Sequence, residues 1–317
     1  MFRDFLLPKV GMAAITIFAT SAVVFGALYL APGDPVTFLT KGRPADPATI
    51  AAITQQYHLN DPLITRYQLW VSGVLHGDLG QSIMFRQDVT TLVGSRMPTT
   101  LWLVAMASVL IVTVGIGVGL FSALRPGKLD DSLMLGATLA AAVPIFVIAI
   151  ALVSFFSIRL GWFPTFGSGE SGGFLDRLKH LTLPAVALAF AAVAFVARIT
   201  RASLREEMDK EHVRAARSRG LASSDVVRRH VVRNGFAPIV TVTGLTIAGL
   251  FVGTAIIEKA FALNGIGGLL IDAVSAGDFP VVQAIALLMV IVFILTNLGT
   301  DLLQHYLDPR QRRAVKE

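Results

Sequence analysis

Apolar runs about twenty residues long, separated by shorter polar segments, recur along the whole chain. A helix needs roughly 20 such residues to cross about 30 Å of hydrocarbon. Six runs meet that length: Val10 to Leu30, Pro98 to about Leu124, Ser132 to Ile158, Leu181 to Ile199, Phe236 to Ile257 and Val281 to Leu303. The first stops at Ala31-Pro32-Gly33-Asp34-Pro35, where two prolines and a glycine prevent continuation. Pro98 is placed to open the second, because a first helical turn tolerates proline. Pro144 and Pro184 interrupt the third and fourth, and each predicts a kink or a packing adjustment. Arg3 and Lys9 precede the first run, as they would in a signal peptide. The run exceeds the roughly 7–15 residues of a signal-peptide apolar region, however, and no small-x-small cleavage site follows, so it reads as a span.

Composition supports a membrane protein. The chain is 54% hydrophobic and 15% charged, with a mean hydropathy of +0.68, whereas soluble domains carry about 25% charged residues. The net charge of +6 could suggest a nucleic-acid partner, but lysine and arginine gather on the cytoplasmic side of membrane proteins. With the N-terminus inside, eighteen of the 27 basic residues fall in cytoplasmic segments and nine outside, diluted over longer loops. Both termini are therefore expected inside, and no nucleic acid is needed to explain the charge. The expected organisation is a first span (1–31), an extracytoplasmic loop domain (32–97), a transmembrane core (98–303) holding a cytoplasmic loop (200–235), and a cytoplasmic tail (304–317). Helical stretches are expected within the outer loop at Pro47–Tyr57 and Pro62–Leu75.

The cytoplasmic loop is the most informative segment. Its composition is helical and solvated up to Arg219, and Gly220 supplies a left-handed residue to end a helix. Ser223 offers an N-cap for a second helix from about Ser224, with Val227 and Val231 four apart on one face. Two short helices meeting at a glycine elbow are predicted. The small pair Ala215-Ala216, set just before the elbow, would let a groove on another protein approach closely.

This segment carries a resemblance. Ala215-Ala216-x-x-x-Gly220, followed by Arg233-Asn234 and Pro238, resembles the EAA loop of ABC importer permeases, with Arg214 at the eponymous glutamate position as in the basic variant of the peptide-transporter branch. Pro32-Gly33-Asp34-Pro35, Leu59-Asn60-Asp61-Pro62-Leu63 and Gly77-Asp78-Leu79-Gly80 resemble the outer loop of dipeptide, oligopeptide and nickel permeases. So do Thr200-Arg201-Ala202-Ser203, Phe261 with Gly265 and Gly267, Asp278-Phe279-Pro280-Val281-Val282-Gln283 and Leu307-Asp308-Pro309-Arg310. The likeness covers nearly the full length. It implies an all-α, six-span, MetI-like fold with both termini inside, in the bacterial inner membrane. It implies a coupling helix with His212, Val213, Arg214, Ala215, Ala216, Arg217, Gly220 and Leu221 at an ATPase contact. It further implies a second homologous permease, two ATPase subunits that hold ATP and Mg, and an extracytoplasmic substrate-binding protein. Peptides are the commonest cargo of that branch; nickel chelates and glutathione also occur.

Other chemistries lack their signatures. The absence of cysteine removes disulfides and thiolate metal sites, and no histidine pair has the spacing of a metal site. Gly115-x-Gly117-x-Gly119 lies inside an apolar span with no preceding strand, so it is expected to pack a helix rather than cradle a dinucleotide. The Asn264-Gly265-Ile266-Gly267-Gly268 stretch is expected to be a flexible outer turn. Arg198 and Glu258 mark span ends. A self-sufficient secondary transporter or channel is the alternative, but it would need inverted repeats and a polar cluster at mid-membrane, and neither is seen. No Walker A motif is present, so ATP would be hydrolysed by a partner and no cofactor is expected on this chain. Thr241, Thr243, Gly244, Thr246 and Pro144 are candidates to line a path.

Overall fold

The computed structural model describes residues 2–30, 46–56, 60–170 and 172–307. Pro32-Gly33-Asp34-Pro35, Leu59 and the tail from Asp308 lie outside the described residues. The described residues are helical, with one antiparallel bridge between Gln81 and Asp88. In chain order the helices are α1 (Phe2–Leu30), α2 (Pro47–Gln56), α3 (Leu63–Leu75), α4 (Val89–Leu124), α5 (Lys128–Ala142) and α6 (Ile145–Arg159). They continue with α7 (Gly173–Met208), α8 (Glu211–Ser218), α9 (Ser223–Ala260), α10 (Ile266–Ala276) and α11 (Phe279–Leu307). Among the described residues five helices are long and apolar enough to cross a membrane, or six if α5 and α6 form one broken span.

One proline acts differently from the sequence reading. Pro98 lies inside α4 rather than at its start. The extra turns before it persist because Val89, Leu92 and Val93 are buried against Ile266, Leu269 and Ile285 of α10 and α11. Pro98 has no N–H to offer the Gly94 carbonyl one turn before it. Pro144 interrupts the third span as expected, with a bend of 102° between α5 and α6. Val143 turns extended (φ −81°, ψ 127°), the conformation that a following proline favours. Pro184, by contrast, is carried within α7.

Helix α7 is the centre of the bundle and packs on α4, α5, α6 and α9. Its buried side is rich in alanine (Ala185, Ala187, Ala189, Ala194 and Ala197), so neighbouring backbones approach closely. Against it lie the glycines of α4. A β-carbon on Gly115 would stand 3.3 Å from the Val193 carbonyl, and one on Gly119 would stand 2.5 Å from both the Ala197 carbonyl and Thr200 Cβ. The packing expected for this glycine pair is what the structure shows.

Polar groups staple the bundle near its ends. At the end that carries the basic loop, Asp130 at the start of α5 is buried and accepts from Arg201 Nε (2.6 Å), Arg201 Nη2 (2.7 Å) and Arg205 Nη2 (2.7 Å) of α7, and from the Ser122 hydroxyl. This forked arrangement is the strong form of the carboxylate–guanidinium bond. Lys9 of α1 pairs there with Asp301 of α11.

At the opposite end Glu258 does close α9, but it is fully enclosed rather than facing solvent. It accepts from the Thr100 hydroxyl of α4 (2.6 Å) and from the Gly268 N–H (2.8 Å), while Thr100 Oγ1 accepts from the Ile266 N–H (2.9 Å). A carboxylate and a hydroxyl thus satisfy N–H groups that the first turn of α10 would otherwise leave bare. The glycine-rich stretch expected to be a flexible turn is therefore a packed helix start. Gly265 abuts the Glu258 carboxylate, and a β-carbon on Gly267 would lie 2.5 Å from the Ala255 nitrogen. Asp278, also fully buried, accepts from Ser82 Oγ (2.5 Å) and the Met84 N–H (3.0 Å), fastening the segment before α4 to the start of α11.

Two substitutions test this packing. Gly119→Val is expected to cost about 1–3 kcal/mol by overpacking, seen as a lower unfolding temperature of the purified chain in detergent. Gly117→Val, which meets no neighbour, should leave that temperature unchanged. Glu258→Ala strips the acceptor from Thr100 and Gly268 and is expected to cost about 1–3 kcal/mol for each stranded donor. Glu258→Gln, which keeps one acceptor oxygen, should lose less in the same measurement.

Candidate functional site

The sequence reading expects helix up to Arg219, yet α7 ends at Met208 and the chain turns at Asp209 and Lys210 before α8 begins. The turn has a local anchor. Glu207 is buried (5% exposed), its Oε2 accepts from Lys210 Nζ at 2.5 Å, and its Oε1 lies 3.2 Å from His212 Nε2. Turning there lets α8 fold back so that Val213 and Ala216 enter a small core with Ala123, Leu204, Val226, Val231 and Ile239. A helix continued straight from α7 would leave both in solvent.

The two members of the small pair therefore do different work. Ala216 is buried, and its size lets α8 close on α9; Ala215 is exposed. The outward face of α8 consists of Arg214, Ala215 and Arg217, and half-exposed Leu221 follows the elbow. Gly220 has φ +76°, donates to the Arg217 carbonyl at 2.9 Å, and is followed by Leu221 donating to Ala216 at 3.4 Å. That pair of bonds is the Schellman ending expected of a glycine in this place.

Beyond the elbow the predicted second helix is the start of α9, which runs on into the membrane without a break. Ser223 is its first residue rather than its cap, and Ala222 precedes it. Residues Val226–Val232 form a π-helical stretch. Its wider turn buries Val226 and Val231, five apart, where α-helical spacing pairs Val227 with Val231. Asn234 donates to the His230 carbonyl (2.8 Å) and lies 3.3 Å from His212 Nε2, while Ser203 donates to the Gly235 carbonyl (2.9 Å). A β-carbon on Gly235 would stand 3.1 Å from Leu204 Cδ2. These contacts join α7, α8 and α9 into one body at this end of the bundle, built on Ser203 and Asn234, which belong to the motifs quoted above, and on Glu207, which does not.

The path candidates do not converge on one surface. Thr243 is buried, and Gly244 is pressed against Thr300 of α11. Thr246 is half-buried with its hydroxyl on the Val242 carbonyl (2.7 Å). Thr241 is exposed and accepts from Gln304 Nε2, and Pro144 is exposed at the α5–α6 bend. The open face of α9 is instead Thr241, Leu245, Gly249, Val252 and Ile256, which follow one another at helical spacing. Only the first belongs to the expected set.

The resemblance read from the motifs is matched by known proteins. Residues 115–313 match the family described as binding-protein-dependent transport system inner membrane component, and residues 1–104 match its N-terminal region. A protein of Brucella melitensis named as a peptide transport system permease is 35% identical over 98% of this chain and 99% of its own length. The glutathione transport system permease protein GsiC of Escherichia coli is 36% identical over 94% and 95%. A solved chain of the MetNI methionine ABC transporter in an inward-facing conformation shares the fold, with a TM-score of 0.57 and 19% identity over 68% of this chain and 96% of that one. Matched along nearly its whole length, the chain belongs to the family of binding-protein-dependent ABC transport permeases and is a multi-helix inner-membrane component of such a system.

Proposed function

We propose that this subunit moves di- or oligopeptides, or a related small solute, across the bacterial inner membrane by alternating access driven from a partner ATPase. Relatives named for peptide and glutathione transport support the cargo class. Six crossings with both termini inside, the bent α5–α6 pair counting as one, agree with the placement of the basic residues. The partners would be a second homologous permease, two ATPase subunits holding ATP and Mg, and a binding protein. Residues 32–97 would face outside as that protein's landing ground.

The observation that carries the mechanism is the mounting of α8. Buried Val213 and Ala216 hold it to α7 and α9, while Arg214, Ala215 and Arg217 remain open for an ATPase groove. A push on that face would reach the start of α9 through the Glu207–His212–Asn234 contacts rather than dissipating in a loose loop. The chain is a conduit in this reading and performs no catalysis itself.

Two variants test the coupling. Ala215→Trp adds bulk only to the open face and is expected to abolish uptake into cells and solute-stimulated ATP hydrolysis, with the subunit still inserted at normal level. Gly220→Val forces a β-branched residue into left-handed backbone, a conformational cost of roughly 1–2 kcal/mol, and should weaken uptake and stimulation together. Normal uptake by the Ala215→Trp protein would remove α8 from the contact. Ala216→Asp would not discriminate, since it buries a charge in the small core whatever the helix does.

A further inference from the structure

A cleft of about 750 Å³ opens between α8, the start of α9 and the end of α11. Its rim carries Lys210, His212, Arg228, Arg229, Arg233 and Asn234. Its floor is apolar: Val232, Phe236 and Ala237, half-buried at the start of α9, continue from the rim along the helix. We propose that this cleft binds the headgroup of an anionic phospholipid from the adjoining leaflet, with the acyl chains lying along the α9 stripe.

Charge is the first support. Glu207 is the one carboxylate in the cleft lining, and its two oxygens are already engaged by Lys210 and His212. Arg228 and Arg229 reach a single carboxylate, Asp225, at 3.8 and 3.6 Å, and both stay largely in solvent at 75% and 66% exposure. Arg233 has no carboxylate within ion-pair distance among the described residues. Three guanidiniums therefore converge on a cleft whose only acid is spent, and guanidinium is the group best suited to phosphate oxygens. Basic pockets between spans on the cytoplasmic side are the usual seat of anionic headgroups.

Shape is the second support, and it selects a lipid over other anions. A soluble anion would use the rim and leave Phe236 and Ala237 facing water. An acidic protein loop would have to desolvate against the same apolar floor. A phospholipid matches both halves at once, in the order in which a leaflet presents them. The cleft is also distinct from the open face of α8: Arg214, Ala215 and Arg217 do not line it. A lipid here would brace the α8–α9 junction whether or not α8 meets an ATPase.

The test is native mass spectrometry of the full chain, purified in mild detergent and supplied with phosphatidylglycerol or phosphatidylcholine. Phosphatidylglycerol is expected to be retained roughly tenfold better. Arg229→Gln with Arg233→Gln should bring retention down to the phosphatidylcholine level. Arg125→Gln, an exposed basic residue stacked 5.0 Å over Phe121 outside the cleft, should change nothing. If the double variant fails to stay monodisperse, Arg233→Gln is compared with Arg233→Lys, of which only the second should keep the lipid. Equal retention of both lipids, or an equal loss with Arg125→Gln, would reduce the cleft to ordinary positive-inside charge and overturn the proposal. Displacement of the lipid by inorganic phosphate at matched concentration would show a soluble-anion site instead. Stripping by added ATPase subunits would show a protein interface.

Discussion

The approach of α4 to α7 at Gly115 and Gly119 sets the position of almost everything else. Between helices in lipid there is no hydrophobic drive to associate, because the tails are as apolar as the side chains. Cohesion then depends on how closely backbones can come, and the two glycines of α4 facing the alanine side of α7 bring the Ala197 carbonyl to the surface of α4. From that contact α7 carries Arg201 and Arg205 to Asp130, Leu204 to the small core under the bundle, and Glu207 to the turn before α8.

Strong polar contacts lie toward the two ends and leave the middle to apolar packing. Asp130 with its two arginines ties α5 to α7 at one end; Glu258 with Thr100 ties α4, α9 and the start of α10 at the other. Asp130 and Glu258 are each met by two or more donors, which is the condition under which burying them does not cost stability outright. This arrangement defines bodies rather than a mesh. Helices α7, α8 and α9 are joined at the basic end, and α10 with the start of α11 is fastened to the segment before α4 at the other. Under the proposed drive from a partner ATPase, a stiff receiving end is what would let a distant displacement be felt.

The basic end presents two chemically different faces within a few residues. The outer face of α8 offers small and basic side chains on a rigid helix. The cleft behind it joins a guanidinium rim to an apolar stripe. Their separation follows from the π-helical stretch, which shifts the register of α9 and turns Val226 and Val231 inward while Arg228, Arg229 and Arg233 point out.

Features that depend on run length and local chemistry were legible in the sequence: the apolar runs, the left-handed Gly220, the packing role of Gly115 and Gly119, and the ordered motifs of the family. A hydrocarbon span needs a minimum length, and a helix ending needs a particular backbone, so each leaves a mark within a few neighbouring residues. What the tertiary structure decided depends on partners far along the chain. Pro98 sits inside a helix because α10 and α11 bury the residues before it. Glu258 is enclosed because Thr100, distant in sequence, donates to it. Helix α7 stops at Met208 because Val213 and Ala216 find a core by turning back, and Ala216 parts from Ala215 for the same reason. The path candidates scattered because composition records that a helix face is small and mildly polar, while only the neighbouring helix settles whether that face is open or, as at Gly244 against Thr300, closed.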